Sequence, residues 1–246
     1  LQSSLSTTAA AAASPVFCHP QDVGPLIKHI PKSARPAYTS HLASLLTKVI
    51  ASPNDLEAWS SLLHFGANVL QKPARTGSRH NLASIIKKRT EETGPVQPRA
   101  AYTAPHRKRD ATDLLAAAVT AKVEDGNLKA AFQILCLEEK LTTDIEATYT
   151  KLIEHHPAPP NNRIPAVDQD DITAVQVSEV DVMHAIRTFP AGSSGGPDGL
   201  RPQHVLDLVT CLESGSALLT AITALVNSLL AGKCNATVTP ILFGGQ

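Results

Sequence analysis

The sequence predicts a mostly α-helical protein, built from several small helical units that are separated by breakers. Three observations support this prediction. The 246 residues are 43% hydrophobic, which is enough for packed cores, yet only 4% are aromatic, and 18 prolines interrupt the chain. Between these prolines, apolar residues recur three and four positions apart, a spacing typical of amphipathic helices. Short helices are therefore favoured over a sandwich or a barrel.

Charge is balanced over the whole chain but sharply divided along it. Residues 71–109 hold ten Lys or Arg against two acids, whereas residues 110–181 hold fourteen acids against five bases. A cationic segment of this density attracts phosphate backbones by releasing counterions, without reading sequence. The basic segment thus indicates a non-specific RNA or DNA contact or a nuclear-localisation signal, with a solvated linker as the alternative.

A first helical module is predicted over residues 21–70, after a Ser/Ala-rich tail, residues 1–20, that we expect to be disordered. Its first apolar face follows Ser40, and a second helix is expected after Ser52 as cap, with Pro53 and Asp55 in the first turn. The only tryptophan, Trp59, is expected in the core between these two helices. The two apolar faces comprise Leu42, Leu45, Leu46, Val49 and Ile50, then Leu56, Trp59, Leu62, Leu63 and Leu70.

Residues 71–109 are predicted to be a basic linker with a short helix over 81–88. The candidate nucleic-acid-binding residues are its basic side chains: Arg75, Arg79, Lys87, Lys88, Arg89, Arg107, Lys108 and Arg109. No aromatic ladder interleaves these charges, so we expect contacts to phosphates rather than stacking on bases.

An acidic helical module is predicted over residues 110–160, with three helices. Gly126 is expected to end the first helix and Asn127 to cap the second. This helical hairpin looks superficially like one unit of a helical-repeat protein, but no second copy follows at a period of about 35 residues. A non-enzymatic helical interaction or helical-repeat protein is therefore the alternative function. The three apolar faces comprise Leu114, Leu115, Ala118 and Val119, then Leu128, Ala131, Phe132 and Leu135, then Ile145, Tyr149, Leu152 and Ile153.

No catalytic residue and no metal site is predicted in this chain. Asp168, Asp170 and Asp171 are carboxylates of the kind that hold magnesium, but they follow a proline-rich linker instead of lying on a hairpin between apolar strands. The four cysteines are too far apart for a metal or redox pair, so we expect reduced thiols. Adjacent His155 and His156 point to different sides of a helix and are expected to lie at its end.

The last segment, residues 161–246, is predicted to contain three helices and a strand. Ser178 is expected to cap a helix with Asp181 in its first turn and an apolar face formed by Val182, Met183, Ile186 and Phe189. A second helix over 202–209 and a long apolar helix ending near Gly232 follow. Residues 238–243 are apolar and are expected to form a strand.

A glycine-rich loop, residues 190–201, separates the first two of these helices. Gly192, Gly195, Gly196 and Gly199 allow positive φ at four positions. Within it, Pro197 fixes one φ angle and Asp198 can accept hydrogen bonds from nearby backbone N–H groups. Pro202 then suits the first turn of a helix, and Arg201 is expected to project from the entry to that helix.

The stretch GPDGLRPQH at residues 196–204 resembles the reverse transcriptases of eukaryotic non-LTR-type retroelements. The preceding helix, residues 181–189, and the final ILFGGQ share the resemblance, and residues 58–80 resemble the upstream part of such polyproteins in general style. The resemblance implies that residues 161–246 are the start of a polymerase domain, at the edge of its fingers and ahead of every catalytic aspartate. It also implies a template-channel loop formed by Gly196, Pro197, Asp198, Gly199 and Arg201.

The resemblance further implies what the chain works with. The parent would be an RNA-directed DNA polymerase that uses magnesium, whereas this part alone would be inactive and hold no cofactor. Its partners would be RNA or DNA, bound non-specifically through phosphates, and the remainder of the polymerase domain. We expect the protein inside the cell, in the nucleus or the cytoplasm. No apolar run is long enough for a membrane span, and the first 13 residues resemble a cut end more than a signal peptide.

Overall fold

The computed structural model describes residues 25–73, 81–92, 110–136, 144–156, 175–190 and 192–243. Within these residues the protein is mostly helical, as the sequence predicts, and the only β pairing is an isolated antiparallel bridge between Leu26 and Gln71. A short 3₁₀ helix spans Lys32–Ala34. The α-helices are α1 (Arg35–Ala51), α2 (Leu56–Leu70), α3 (Leu82–Glu91), α4 (Ala111–Glu124), α5 (Leu128–Cys136), α6 (Ile145–His155), α7 (Glu179–Thr188), α8 (Pro202–Val209), α9 (Gly215–Leu230) and α10 (Thr239–Phe243).

The helices divide into two compact units. Unit 1 combines α1 to α3 with α7 to α10, and unit 2 contains α4 to α6. The predicted 21–70 module and the predicted 161–246 segment therefore contribute helices to the same unit. The predicted acidic module supplies the helices of the other.

Helix α1 is the centre of unit 1, because it packs against α9, α2, α3 and α8. It begins at Arg35, earlier than the apolar pattern after Ser40 indicates, since Pro36 suits the first turn of a helix. The side chains that point from α1 into the core are Tyr38, Leu42, Leu45, Leu46 and Val49.

Helix α2 is where predicted, but its cap is different. Asp55, and not Ser52, is the N-cap: its carboxylate accepts hydrogen bonds from the N–H groups of Glu57 at 2.9 Å and Ala58 at 3.2 Å. Asp55 is the cap because it directly precedes Leu56, the first helical residue, and has the extended backbone conformation of an N-cap. Trp59 lies in the core at 1% exposure, as predicted, and its Nε1 donates to the Pro53 carbonyl at 2.8 Å.

The start of α7 and the end of α9 confirm the predicted signals. Ser178 and Asp181 form a capping box on α7, and Gly232, with φ of 73°, ends α9. Phe189 is not part of the α7 apolar face. It is the extended residue that follows the helix and is 54% exposed.

The prediction of a strand over 238–243 is wrong, because Thr239–Phe243 is helix α10. Asn235 begins this turn: its side chain accepts from the N–H of Thr237 at 2.8 Å, and its carbonyl accepts from Val238 and Thr239. Pro240 fits the first turn of a helix and has no N–H for a sheet. Val238 is fully buried in the core of unit 1, and Ile241 and Leu242 pack against that core. The segment is therefore apolar because it packs as a short helix, and not because it forms a strand.

Unit 2 has the predicted hairpin of helices but buries little. Gly126 has φ of 74° after α4, and the Asn127 side chain accepts from the N–H of Ala130 at 3.0 Å at the start of α5. Both predicted turn roles are confirmed. Ala131 is the one buried residue of α4, α5 and α6. In α6, Asp144 is the N-cap and His155 is the last helical residue, as expected for a helix end.

None of the described helices is long and apolar enough to cross a membrane.

Candidate functional site

The glycine-rich loop is a shaped turn, although only part of its predicted geometry is found. Gly192 and Gly199 have positive φ, at 76° and 74°, whereas Gly195 and Gly196 do not. The turn is closed by backbone hydrogen bonds from Gly199 N–H to the Gly196 carbonyl at 2.9 Å and from Gly196 N–H to the Leu200 carbonyl at 3.2 Å. Two of the four glycines therefore supply left-handed backbone.

This loop lies directly on helix α2. A Cβ atom placed on Gly66 would meet the Asp198 carbonyl oxygen at 2.6 Å and the Leu200 side chain at 2.9 Å. One placed on Gly199 would meet Leu26 at 2.8 Å and the backbone of Ala67 at 3.7 Å. The two backbones approach this closely because Gly66 has no side chain. The sequence carried a signal for this contact, since a glycine inside a helix costs about 1 kcal/mol relative to alanine.

Asp198 is the acidic residue of the loop, and it accepts a backbone hydrogen bond as predicted. Its Oδ1 accepts from the Leu200 N–H at 3.0 Å. Burial raises the pKa of the Asp198 carboxyl to about 6, and the hydrogen bonds from backbone N–H groups only partly oppose this. The hydroxyl of Tyr38 is buried nearby without a hydrogen-bond partner, and burial together with the Asp198 charge holds its pKa well above the usual value.

Arg201 is the N-cap residue that precedes helix α8, and His204 fixes that helix to the first described segment of the chain. The Nδ1 atom of His204 accepts from the Arg201 N–H at 3.2 Å, so its Nε2 carries the proton and donates to the Ile27 carbonyl at 2.9 Å. His204 is fully buried, and burial lowers its pKa, which favours this neutral form. These two hydrogen bonds of His204 hold the first turn of α8 in place, and Arg201, which precedes that turn, is half-buried.

An ion pair that the sequence did not predict lies one turn further along α8. The Nη2 atom of Arg35 lies 3.1 Å from Asp207 Oδ1, which also accepts from Gln203 at 3.2 Å. The Nε atom of Arg35 donates to the Ile30 carbonyl, and His29 lies 3.7 Å from the other carboxylate oxygen. Asp207 is buried, so this pair joins the start of α1 to α8 inside the unit.

Three of the predicted basic residues lie on α3, and they have different surroundings. Lys87 and Lys88 are exposed, with Lys88 3.6 Å from Glu92. Arg89 instead turns inward: its Nη1 donates to the carbonyls of Val69 and Gln71 at the end of α2. Its guanidinium stabilises a helix C-terminus, where carbonyl groups lack helical partners.

The other predicted basic residues lie outside the described part of the chain: Arg75, Arg79, Arg107, Lys108 and Arg109.

In the described ranges no group of three or more His, Cys, Asp or Glu side chains is arranged to hold a metal ion. Asp168, Asp170 and Asp171 lie outside these ranges. Cys136, Cys211 and Cys234 are free thiols.

Comparison with known proteins adds no relative, since no protein-family model, curated protein or solved structure matches this chain.

Proposed function

We propose that this chain is the amino-terminal part of a reverse transcriptase of the eukaryotic non-LTR-type retroelement family, lying before the catalytic aspartates. One observation supports this most. The loop of the GPDG motif packs on α2, which belongs to the upstream stretch that also resembles these polyproteins, and the contact needs Gly66 against Asp198. If GPDG were a chance turn in an unrelated protein, there would be no reason for it to pack on a distant segment that also resembles these polyproteins.

In this proposal the loop is a rigid border of the template and primer channel. The positive φ of Gly199 and the hydrogen bond from Leu200 to Asp198 fix its backbone. Gly196, Pro197 and Arg201 complete it, and His204 holds the entry of α8 to Ile27. The parent would be an RNA-directed DNA polymerase, a nucleotidyltransferase that depends on magnesium. This part supplies shape and contacts to that enzyme and no catalytic group.

The chain also binds RNA or DNA without sequence preference in this proposal. Lys87 and Lys88 on α3 are exposed, within a sequence segment that carries ten bases and two acids. Such contacts go to phosphates and position a nucleic acid without reading its bases. The remainder of the polymerase domain would be the second partner, and the nucleus or cytoplasm the location.

The decisive experiment reads the coding sequence downstream of Gln246. We expect an apolar strand carrying an aspartate, followed by a Tyr or Phe with x-Asp-Asp on a tight turn between apolar segments. A long open reading frame without either motif would overturn the assignment, whatever the chain binds.

A second candidate function is a non-enzymatic α-helical interaction protein. It is favoured by unit 2, whose helices leave large apolar side chains in contact with solvent. Contiguous apolar surface of this kind marks sites of protein association.

A further inference from the structure

Helices α5 and α6 each expose a stripe of three large apolar side chains. On α5 the stripe consists of Leu128, Phe132 and Leu135, which are 67%, 68% and 60% exposed. On α6 it consists of Ile145, Tyr149 and Leu152, at 82%, 64% and 53%. Residues spaced at i, i+4 and i+7 lie on one face of a helix. Each helix therefore presents one continuous apolar face to solvent.

The two stripes are complementary when the helices run antiparallel. With a rise of 1.5 Å per residue, both stripes are about 10 Å long. In the antiparallel register Leu128 lies opposite Leu152, and Leu135 lies opposite Ile145. Phe132 and Tyr149 then meet near the middle, where their rings can pack edge to face or in an offset stack.

The single chain does not use this complementarity. Helices α4 and α5 pack against each other, but among the described helices α6 has no comparable packing partner. Neither α4 nor α6 buries any residue, and α5 buries only Ala131. Helices of this length are marginal in water without tertiary packing, so both stripes lack the contact that would stabilise them.

We propose that the stripe of α5 binds the stripe of α6 from a second copy of this chain. Because each copy carries both stripes, the reciprocal contact forms at the same time, and the pair closes as a two-fold symmetric dimer. This is an exchange of α6 between copies. It does not depend on the polymerase assignment or on nucleic-acid binding.

The buried area reaches what a stable dimer needs. Two reciprocal contacts cover twelve apolar side chains, and at roughly 100 Å² for each the interface buries about 1,200 Å², the lower limit for stable interfaces. The charge acts against association, since the described residues of unit 2 hold seven acids and three bases. This repulsion is screened by salt, whereas apolar contact is not. We therefore expect the dimer to strengthen as the salt concentration rises.

The test uses disulfide trapping between two different copies of the full chain, with the four native cysteines replaced by serine. One copy carries Leu135→Cys and the other Ile145→Cys, so a disulfide between these positions can form only between chains. We expect the mixture to give a covalent dimer on mild oxidation, whereas either copy alone does not. Ala147→Cys in place of Ile145→Cys is the matched control, because position 147 lies on the opposite side of α6.

Light scattering coupled to size-exclusion chromatography gives the second readout, for the unmodified chain. We expect a dimer that Phe132→Asp converts to a monomer that keeps most of its helical circular dichroism, because the helices of unit 1 do not depend on the contact. Gln133→Asp, on the polar side of α5, should leave the dimer intact. A chain that stays monomeric at high concentration and high salt overturns the proposal. So does a disulfide that forms readily within one chain carrying both Leu135→Cys and Ile145→Cys but not in the mixture, since it would mean that α6 closes on its own α5. A covalent dimer formed equally with Ala147→Cys also overturns it.

Discussion

Gly66 and Asp198, 132 positions apart, are in direct backbone contact: a Cβ atom on Gly66 would come within 2.6 Å of the Asp198 carbonyl oxygen. The atom in the way is backbone, so it cannot swing aside as a side chain would. The middle of α2 therefore serves as the seat of the glycine-rich loop. This contact links the first and last parts of the chain within unit 1.

Gly66→Ala tests this seat. On an isolated helix the change stabilises by about 1 kcal/mol, but here the added methyl group has to displace the loop, a kind of overpacking that typically costs 1–3 kcal/mol. We expect a net loss of about 1 kcal/mol in the free energy of unfolding, measured by urea denaturation. Ser61→Ala, at an exposed position of the same helix, is the control. A stabilised Gly66→Ala protein would mean that the loop does not rest on α2.

Gly199→Val tests the turn itself. Its φ of 74° is strained for any β-branched residue, and its Cβ would also meet Leu26 at 2.8 Å. We expect destabilisation by roughly 1 kcal/mol or more, seen as a lower melting temperature. Ser194→Val, an exposed position in the same loop, should change little. An unchanged transition for Gly199→Val would contradict an architectural role for the loop.

The buried Asp198 carboxyl makes stability depend on pH. Its folded-state pKa is raised to about 6 from the ordinary 3.8, so well below pH 3.8 the group is neutral in both states and costs nothing. As pH rises from 3.8 to about 6, the unfolded state releases this proton while the folded state still holds it, so stability falls by about 3 kcal/mol and the loss is complete above the folded pKa. Asp198→Asn, which keeps the acceptor for Leu200 N–H, should be more stable than the native chain at pH 7, and the difference should disappear at about pH 3, where the native carboxyl is neutral in both states. Equal stability at both values would contradict the burial of this carboxyl.

The Arg35 and Asp207 pair tests the attachment of α1 to α8. Removing one partner leaves a charge in a largely dry site, so Asp207→Ala should cost about 3 kcal/mol in urea denaturation. The double variant Arg35→Met with Asp207→Leu removes both charges and should recover most of that loss. If Asp207→Ala costs nothing, the ion pair does not contribute to the stability of the unit.

Local signals predicted much of this fold. Helix α8 begins and ends as expected because Pro202 and the preceding glycine loop define its start, and α9 follows from its long apolar repeat with Gly232 behind it. The prediction of a strand over 238–243 was wrong because a short apolar run does not distinguish a strand from a helix. The Asn235 side chain, which accepts from the Thr237 N–H, starts a helical turn there.

Long-range contacts in the site were beyond sequence reasoning. The hydrogen bond from His204 to Ile27 and the ion pair between Arg35 and Asp207 join residues more than 170 positions apart, and nothing in their local sequence indicates a partner. For Arg89 the local sequence indicated a role that the structure does not show. It belongs to a basic run by sequence, but the end of α2 lies close enough to take its guanidinium.

Nucleic-acid binding gives the last prediction, with Lys87 and Lys88 as its sharpest test. Each phosphate contact contributes a slope of about 0.9 in a plot of log affinity against log salt on duplex DNA, or about 0.7 on single strands. Neutralising both residues to Gln should weaken RNA and DNA binding alike and flatten the slope by up to about 1.8 on duplex DNA. Lys32→Gln with Lys48→Gln removes the same charge from exposed positions outside the basic segment and should leave the slope unchanged. Arg89→Gln should instead lower stability, since it removes two hydrogen bonds to α2. The measurement is salt-titrated binding of the native chain and of the two double-lysine variants. Equal slopes for the three proteins would mean that Lys87 and Lys88 are only solvated surface residues. No salt-dependent binding by any of them would remove nucleic acid from the proposed partners.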